Sequence, residues 1–245
     1  KIIMTNHRTP RNTWGDFHAM IGSLQVAEKR LAEMVGRYGK FYIEEGARRL
    51  MDYSERRLRA EISEIPDGTY HFEHWLEDDG VSTDMIPIKV TITVRGDEVI
   101  VDFTGSSPQV KGPINCAWVV TASAVYIALL SLTDPYIPRN SGAFRPIKII
   151  APAGTVVNVK HPGPCVAGNT DSQIKLIDLI FTALSEVIPR QVIAGSGGSC
   201  SNFLIGGIHP DTGQYYSNYG FDAPGSGATV FKDGNDAELP RHANT

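Results

Sequence analysis

The 245-residue chain offers little cysteine chemistry: Cys116, Cys165 and Cys200 are its three cysteines, they lie far apart, and none belongs to a CxxC pair. That excludes a disulfide framework and a thiolate zinc site, and it fits a reducing cytoplasm. Long hydrophobic runs are missing as well. The longest, Ala117 to Leu132, is too short for a bilayer and is interrupted by Thr121, Ser123 and Ser131, so it reads as an internal helix and not as a membrane anchor. There is no basic surplus: the formal charge is -4, and the one basic cluster, Arg56-Arg57-Leu58-Arg59, reads as a solvated helix face, so nothing marks a nucleic-acid partner. The chain starts at Lys1 without a basic-then-apolar leader, and its ending, LPRHANT, carries no capping or tail signature; a piece of a longer polypeptide is expected.

The familiar catalytic signatures are absent too. GSGGSC at Gly195 to Cys200 supplies two glycines of a dinucleotide fingerprint but puts Cys200 where the third is required, so it reads as flexible or closely packed backbone. No GxxxxGK[ST], HExxH or GxSxG occurs, which removes a self-contained phosphate loop and the simplest metalloprotease and serine-hydrolase readings. His71 and His74, three apart on an expected strand, face opposite sides of it. His161, His209 and His242 sit in loop-like contexts where a surface histidine is the default.

What is present is ordinary globular material, 42% hydrophobic and 20% charged, sufficient for one large domain or two small ones. Thr9 and Pro10 suit a helix start, after which Trp14, Phe17, Ile21, Leu24, Leu31, Val35 and Tyr38 recur at alternating spacings of three and four, with Glu28 filling the one gap. That is a single stripe along a helix. Gly39 suits its terminator, and Ile43, Ala47, Leu50 and Leu58 mark the inward face of a second helix ending before Pro66-Asp67-Gly68.

From Gly68 the period changes to two. Tyr70, Phe72, Ile88, Val90, Ile92 and Val94 alternate with polar residues, Arg95-Gly96-Asp97 makes a turn, and Val99, Val101 and Phe103 resume the alternation, as in an antiparallel meander. A helix from about Ala117, short strands over Pro146–Ile150 and Thr155–Val159, and a helix over Ile174–Val187 follow; the glycine-rich last third holds strand-like pieces at Phe203-Leu204-Ile205 and Gln214-Tyr215-Tyr216. The expected class is α+β, with a helical hairpin over 1–66 and, over 67–245, a mixed, largely antiparallel body with two buried helices.

Four ordered stretches, RTPRNTWGDFHAMIGSLQVAEKRL, VDFTGSSPQVKGPIN, SGAFRPIKIIAPAGTVVN and VAGNTDSQIKLIDLIFTAL, together closely resemble the hydantoinase B family. That family includes N-methylhydantoinase B subunits, the matching half of 5-oxoprolinases, and the corresponding large subunits of acetone and acetophenone carboxylases. The resemblance implies an ATP-dependent hetero-oligomer acting on cyclic amides such as hydantoin, oxoproline or related lactams. A hydantoinase A-like partner with an actin-like fold would hold ATP and Mg2+ and activate a carbonyl oxygen by phosphoryl transfer. A ketone carboxylase subunit and a non-catalytic docking scaffold are the alternatives.

The family's metal-binding stretch, of the type NDPYHGGTH, precedes the RTP block and is not in this chain, so the possible divalent metal is placed upstream, and no metal ligand and no catalytic residue is carried over. The segment YGFDAPGSGA departs from the commonest family form, which leaves the substrate open. Thr104, Ser106, Asn115, Arg145, Asn169 and Thr170 are expected to line a substrate path, because they lie in the family stretches and the core does not require their polarity. Turn and cap formation accounts for the same residue types.

Overall fold

The structure, a computed structural model, describes residues 2–7 and 9–238. His242 and the end of the chain lie outside the described residues. In chain order the helices and strands are α1 (Ile2–Thr5), α2 (Pro10–Tyr38), α3 (Lys40–Ile62), β1 (Gly68–Leu76), β2 (Ile86–Arg95), β3 (Glu98–Asp102), α4 (Trp118–Ser131), β4 (Ile147–Ile150), α5 (Gln173–Leu184), β5 (Asn202–Ile208) and β6 (Tyr215–Phe221). A π-helical turn, Gly168–Ser172, leads directly into α5. Two compact units divide the chain: Lys1–Leu50 with Phe203–Gly220, and Met51–Asn202 with Phe221–Thr245.

In the first unit α2 begins at Pro10, whose fixed φ suits the first helical turn. It ends at Gly39, at a φ of 83° that only glycine adopts readily, where the Gly39 N–H donates to Val35 O at 2.8 Å. No residue of α2 is buried, and Trp14, Ile21, Leu24, Leu31 and Tyr38 of the expected stripe are all exposed. Both expected helices therefore exist, but a packed hairpin between them is not clearly seen. Gly39 alone separates them, which is too short a connection for a reversal. β5 and β6 pair as a two-stranded sheet, joined by a turn in which the His209 N–H donates to Gln214 O at 2.8 Å.

The second unit holds the core. Its inward helical face begins late in α3, at Ser54, Leu58 and Ile62, spaced by four on one side of the helix, whereas Ala47 and Leu50 are exposed. The four-stranded sheet runs β1-β2-β3-β4, with antiparallel pairing from β1 to β3, as the alternation requires, and a parallel β3–β4 pair. A parallel neighbour needs a crossover connection, and α4 lies within it. Ile88, Val90, Ile92 and Val94 line the buried face of β2, and α5 packs on β1, β2 and α4. Leu176, Leu179, Ile180 and Phe181 of α5 are essentially without solvent exposure; each such side chain contributes about 1.5–3 kcal/mol of transfer free energy.

Two expectations are corrected here. Thr155–Val159 forms no strand of the sheet: it makes isolated bridges at Thr155 and exchanges backbone hydrogen bonds with the loop before α4, Cys116 N–H to Val156 O at 2.7 Å and Val159 N–H to Cys116 O at 2.9 Å. The Val156 N–H likewise donates to Ser107 O at 2.9 Å, so these bonds run to that loop and not to a sheet edge. The basic cluster is not a wholly solvated face either. Arg57 pairs with Asp134, and Arg59 reaches Glu55 at 3.0 Å, Asp97 at 3.1 Å and Glu98 at 3.2 Å, tying α3 to the β2–β3 turn.

Candidate functional site

The far end of the polar loop from Asp102 to Cys116 is held by the side chain of Asn115. Asn115 has no solvent exposure; its Oδ1 accepts the Val110 N–H at 2.8 Å, and its amide donates to Val110 O at 2.9 Å, Gly112 O at 3.0 Å and Pro164 O at 2.8 Å. Donor and acceptor sides are both satisfied by backbone, which removes the penalty of about 1–3 kcal/mol that each unpaired buried group would carry. Asp79 fastens the loop from outside, accepting N–H groups of Ser82 at 2.6 Å, Gly112 at 2.7 Å and Val81 at 2.9 Å. Those bonds, Ser82's first, hold its carboxyl below the usual carboxylate range.

Against this loop sits the π turn. The Ala167 N–H donates to Pro113 O at 3.0 Å, and the Cys116 thiol approaches Gly168 O at 3.5 Å. Gly168 must be glycine, because a Cβ there would overlap the carbonyl of Asn115. π-helical turns concentrate at functional sites, and this one presents Asn169, exposed, and Thr170, half-buried. The Thr170 hydroxyl donates to Asp171 Oδ2 at 3.1 Å. Its oxygen is left with lone pairs that can accept.

The glycine-rich segment packs on the same head of α5. The Cys200 N–H donates to Thr170 O at 2.9 Å, Asp178 Oδ2 accepts the N–H and hydroxyl of Ser196 at 3.3 Å each, and Gly198 lies beside the Lys175 ammonium. GSGGSC is thus close-packed backbone, as its composition suggests. Sequence reasoning missed Asp171, Lys175 and Asp178 as a group, although their four-then-three spacing on one helix face is a readable signal. The three cysteines also meet at this turn despite their separation in sequence. The two buried ones are not activated nucleophiles: burial pushes the Cys116 thiol up to about 12, and burial, then the Asp171 charge, pushes the Cys200 thiol up. All three are free thiols.

The expected path residues fall in three places. Asn115, Asn169 and Thr170 share the loop and turn just described. Ser106 is buried where the loop leaves β3, its hydroxyl accepting the Lys89 N–H at 3.0 Å, and Thr104 is exposed beside it with its N–H on Asp102 Oδ1 at 2.8 Å. Arg145 lies elsewhere, paired with Asp52 at 2.9 Å and Glu55 at 2.8 Å on α3.

No group of three or more His, Cys, Asp or Glu among the described residues is placed to hold a metal ion, so none is assigned a ligand role. His71 Nδ1 bonds Thr91 Oγ1 at 2.9 Å, while the His74 ring lies against Phe72 and Trp75. No helix among the described residues is long and apolar enough to cross a membrane.

The family described as Hydantoinase B/oxoprolinase matches residues 1–245. The B-type chain of a D-/L-hydantoinase from Pseudomonas sp. (strain NS671) is 36% identical over the whole of this chain and 42% of its own length. The crystal structure of ATP-dependent caprolactamase from Pseudomonas jessenii superposes with a TM-score of 0.87 at 30% identity, covering 98% of this chain and 42% of that one. A nucleotide-free acetone carboxylase structure shares the fold, with a TM-score of 0.77 at 21% identity over 87% of this chain and 30% of its own. The chain thus spans about two-fifths of the hydantoinase and caprolactamase relatives.

Proposed function

The chain belongs to the hydantoinase B/oxoprolinase family, and from that premise we propose that it forms part of one subunit of an ATP-dependent cyclic-amide hydrolase, working in the cytoplasm with a hydantoinase A-like ATPase subunit. One observation supports the choice of substrate class above others. A lactam presents its C=O and N–H side by side, and the π turn offers an exposed amide donor, Asn169, next to Thr170, whose hydroxyl proton faces Asp171 Oδ2 at 3.1 Å and Ala167 O at 3.4 Å and whose oxygen is left to accept. Asn169 would take the carbonyl and Thr170 the N–H. Asn115 keeps the turn in place from behind, and Ser106 anchors the start of the same loop.

ATP, with Mg2+ on the partner subunit, supplies phosphoryl activation of the amide oxygen; without it an amide carbonyl is a poor electrophile. The residues of this chain position the ring and keep its polar edge paired as charge develops on the carbonyl oxygen. The free cysteines and the lack of a membrane-spanning helix among the described residues agree with a cytoplasmic location. A ketone carboxylase is the second reading, supported by the shared fold of acetone carboxylase.

The test is an assay of the complete complex with ATP and hydantoin, 5-oxoproline, caprolactam, or acetone with and without bicarbonate. Lactam-stimulated ATP hydrolysis is expected, and stimulation by acetone and bicarbonate alone would transfer the reading to the carboxylases. Thr170→Val and Asn169→Ala are each expected to lower kcat/KM roughly tenfold, the value of a hydrogen bond, at unchanged stability. Unchanged turnover per folded molecule would reduce both residues to turn formation.

A further inference from the structure

A cavity of about 770 Å3 opens beside α4, and none of its lining residues belongs to the π turn or to the loop over 102–116. Its volume is that of a small-molecule site, within the usual range of about 300–1,000 Å3. One wall is aromatic: the rings of Tyr126 and Phe144 stack with centroids 3.9 Å apart and planes 11° apart. Ile127 and Leu130 of α4 extend that apolar surface. The Arg139 guanidinium has no partner among the described residues, although a planar five-donor cation at the edge of an apolar wall is where a carboxylate binds in two-point fashion. Asp134 and Glu238 put carboxylates on the same cavity, the first paired with Arg57 and the second accepting the Asn235 amide at 3.0 Å.

A cation, an apolar wall and carboxylates around one small cavity are the complement of a molecule with the opposite charges at its two ends and methylenes between them. We infer that this cavity binds a small linear amino acid, its carboxylate on Arg139, its aliphatic body along Tyr126 and Phe144, and its ammonium toward the acidic side. The ligand class rests on the cyclic-amide reading in one respect. Water opening a lactam breaks the C–N bond, adding hydroxyl to the carbonyl carbon and hydrogen to nitrogen, and at neutral pH the product is a zwitterionic amino acid of this kind. The cavity is therefore a site for the ring-opened acid, separate from the turn proposed to hold the ring.

The experiment is a calorimetric titration of the chain with 6-aminohexanoate, with hexanoate and hexylamine as probes that each lack one charged end. Saturable binding of 6-aminohexanoate is expected, with both comparison probes about tenfold weaker or more. Arg139→Gln, at an exposed position that leaves the core untouched, is expected to weaken 6-aminohexanoate and hexanoate about tenfold and to leave hexylamine unchanged. Equal affinity for hexylamine and 6-aminohexanoate, full affinity in Arg139→Gln, or no saturation at millimolar concentration would each overturn the proposal. Binding needs neither ATP nor the ATPase partner. A complex inactive on lactams thus leaves the site standing, and an active complex whose chain ignores the amino acid removes the site alone.

Discussion

Helices α5 and α2 are both amphipathic by sequence, yet they meet opposite fates. In α5, nine of the residues Gln173–Leu184 are buried, against β1, β2 and α4, whereas in α2 no residue of Pro10–Tyr38 is buried. A regular apolar stripe specifies that a face can be buried; what buries it is decided by the neighbours the chain brings. α5 is preceded by a loop and turn fastened through Asn115, which deliver its apolar face to the sheet. The stripe of α2 receives no such delivery among the described residues.

The contrast can be broken from the buried side first. Phe181→Ala, at a side chain only 1% exposed, is expected to cost about 3–5 kcal/mol in urea unfolding; a loss under about 1 kcal/mol would mean that the α5 interface is not the core. Next comes Asn115→Ala, expected to cost roughly 3 kcal/mol because several backbone groups lose a partner they cannot replace with water. Asn115→Asp should be worse, since it presents a carboxylate to three carbonyl oxygens.

A smaller effect should appear with acid. The folded pKa of Asp79 is depressed, so its contribution is present above the unfolded carboxylate value of about 3.9 and is lost as pH falls through the folded value. Urea midpoints measured from about pH 6 downward should therefore fall more steeply below about pH 4 in the parent than in Asp79→Asn. Smallest of all, Leu24→Glu on α2, where Leu24 is 70% exposed, should change stability by no more than about 0.5 kcal/mol. A loss of several kcal/mol there would show that the stripe is buried in solution after all, and the contrast with α5 would disappear.

Much of this was readable residue by residue. The alternation of Ile88, Val90, Ile92 and Val94 announced β2 and its inward face, and the apolar run from Ala117 announced α4, because local periodicity reports local structure. The helix at α5 was legible for the same reason. Pairings between distant segments were not: Val99 opposite Ile147, or Arg59 reaching Asp97, leaves no periodic trace. Thr155–Val159 is expected as a strand; Val156 and Val157 are buried, but in a turn whose hydrogen bonds run to the loop before α4. At the candidate site, Asn169 and Thr170 were legible as helix-start chemistry, whereas the contribution of Asn115 depends on carbonyls as far away as Pro164. The convergence of Cys116, Cys165 and Cys200 on one turn was equally silent in the sequence.

The parallel β3–β4 pair also sets an order of events during folding. β1, β2 and β3 are joined by short connections and can zip together early, but Ile147–Ile150 can dock on β3 only after residues 103–146 have closed on themselves. The entropy of that closure must be overcome before the new contacts reward it, so β4 should be a late addition to an already formed meander. Slow acquisition of hydrogen-exchange protection at Val99 and Phe103, whose amides bond to Pro146 and Ile150, would be its kinetic signature.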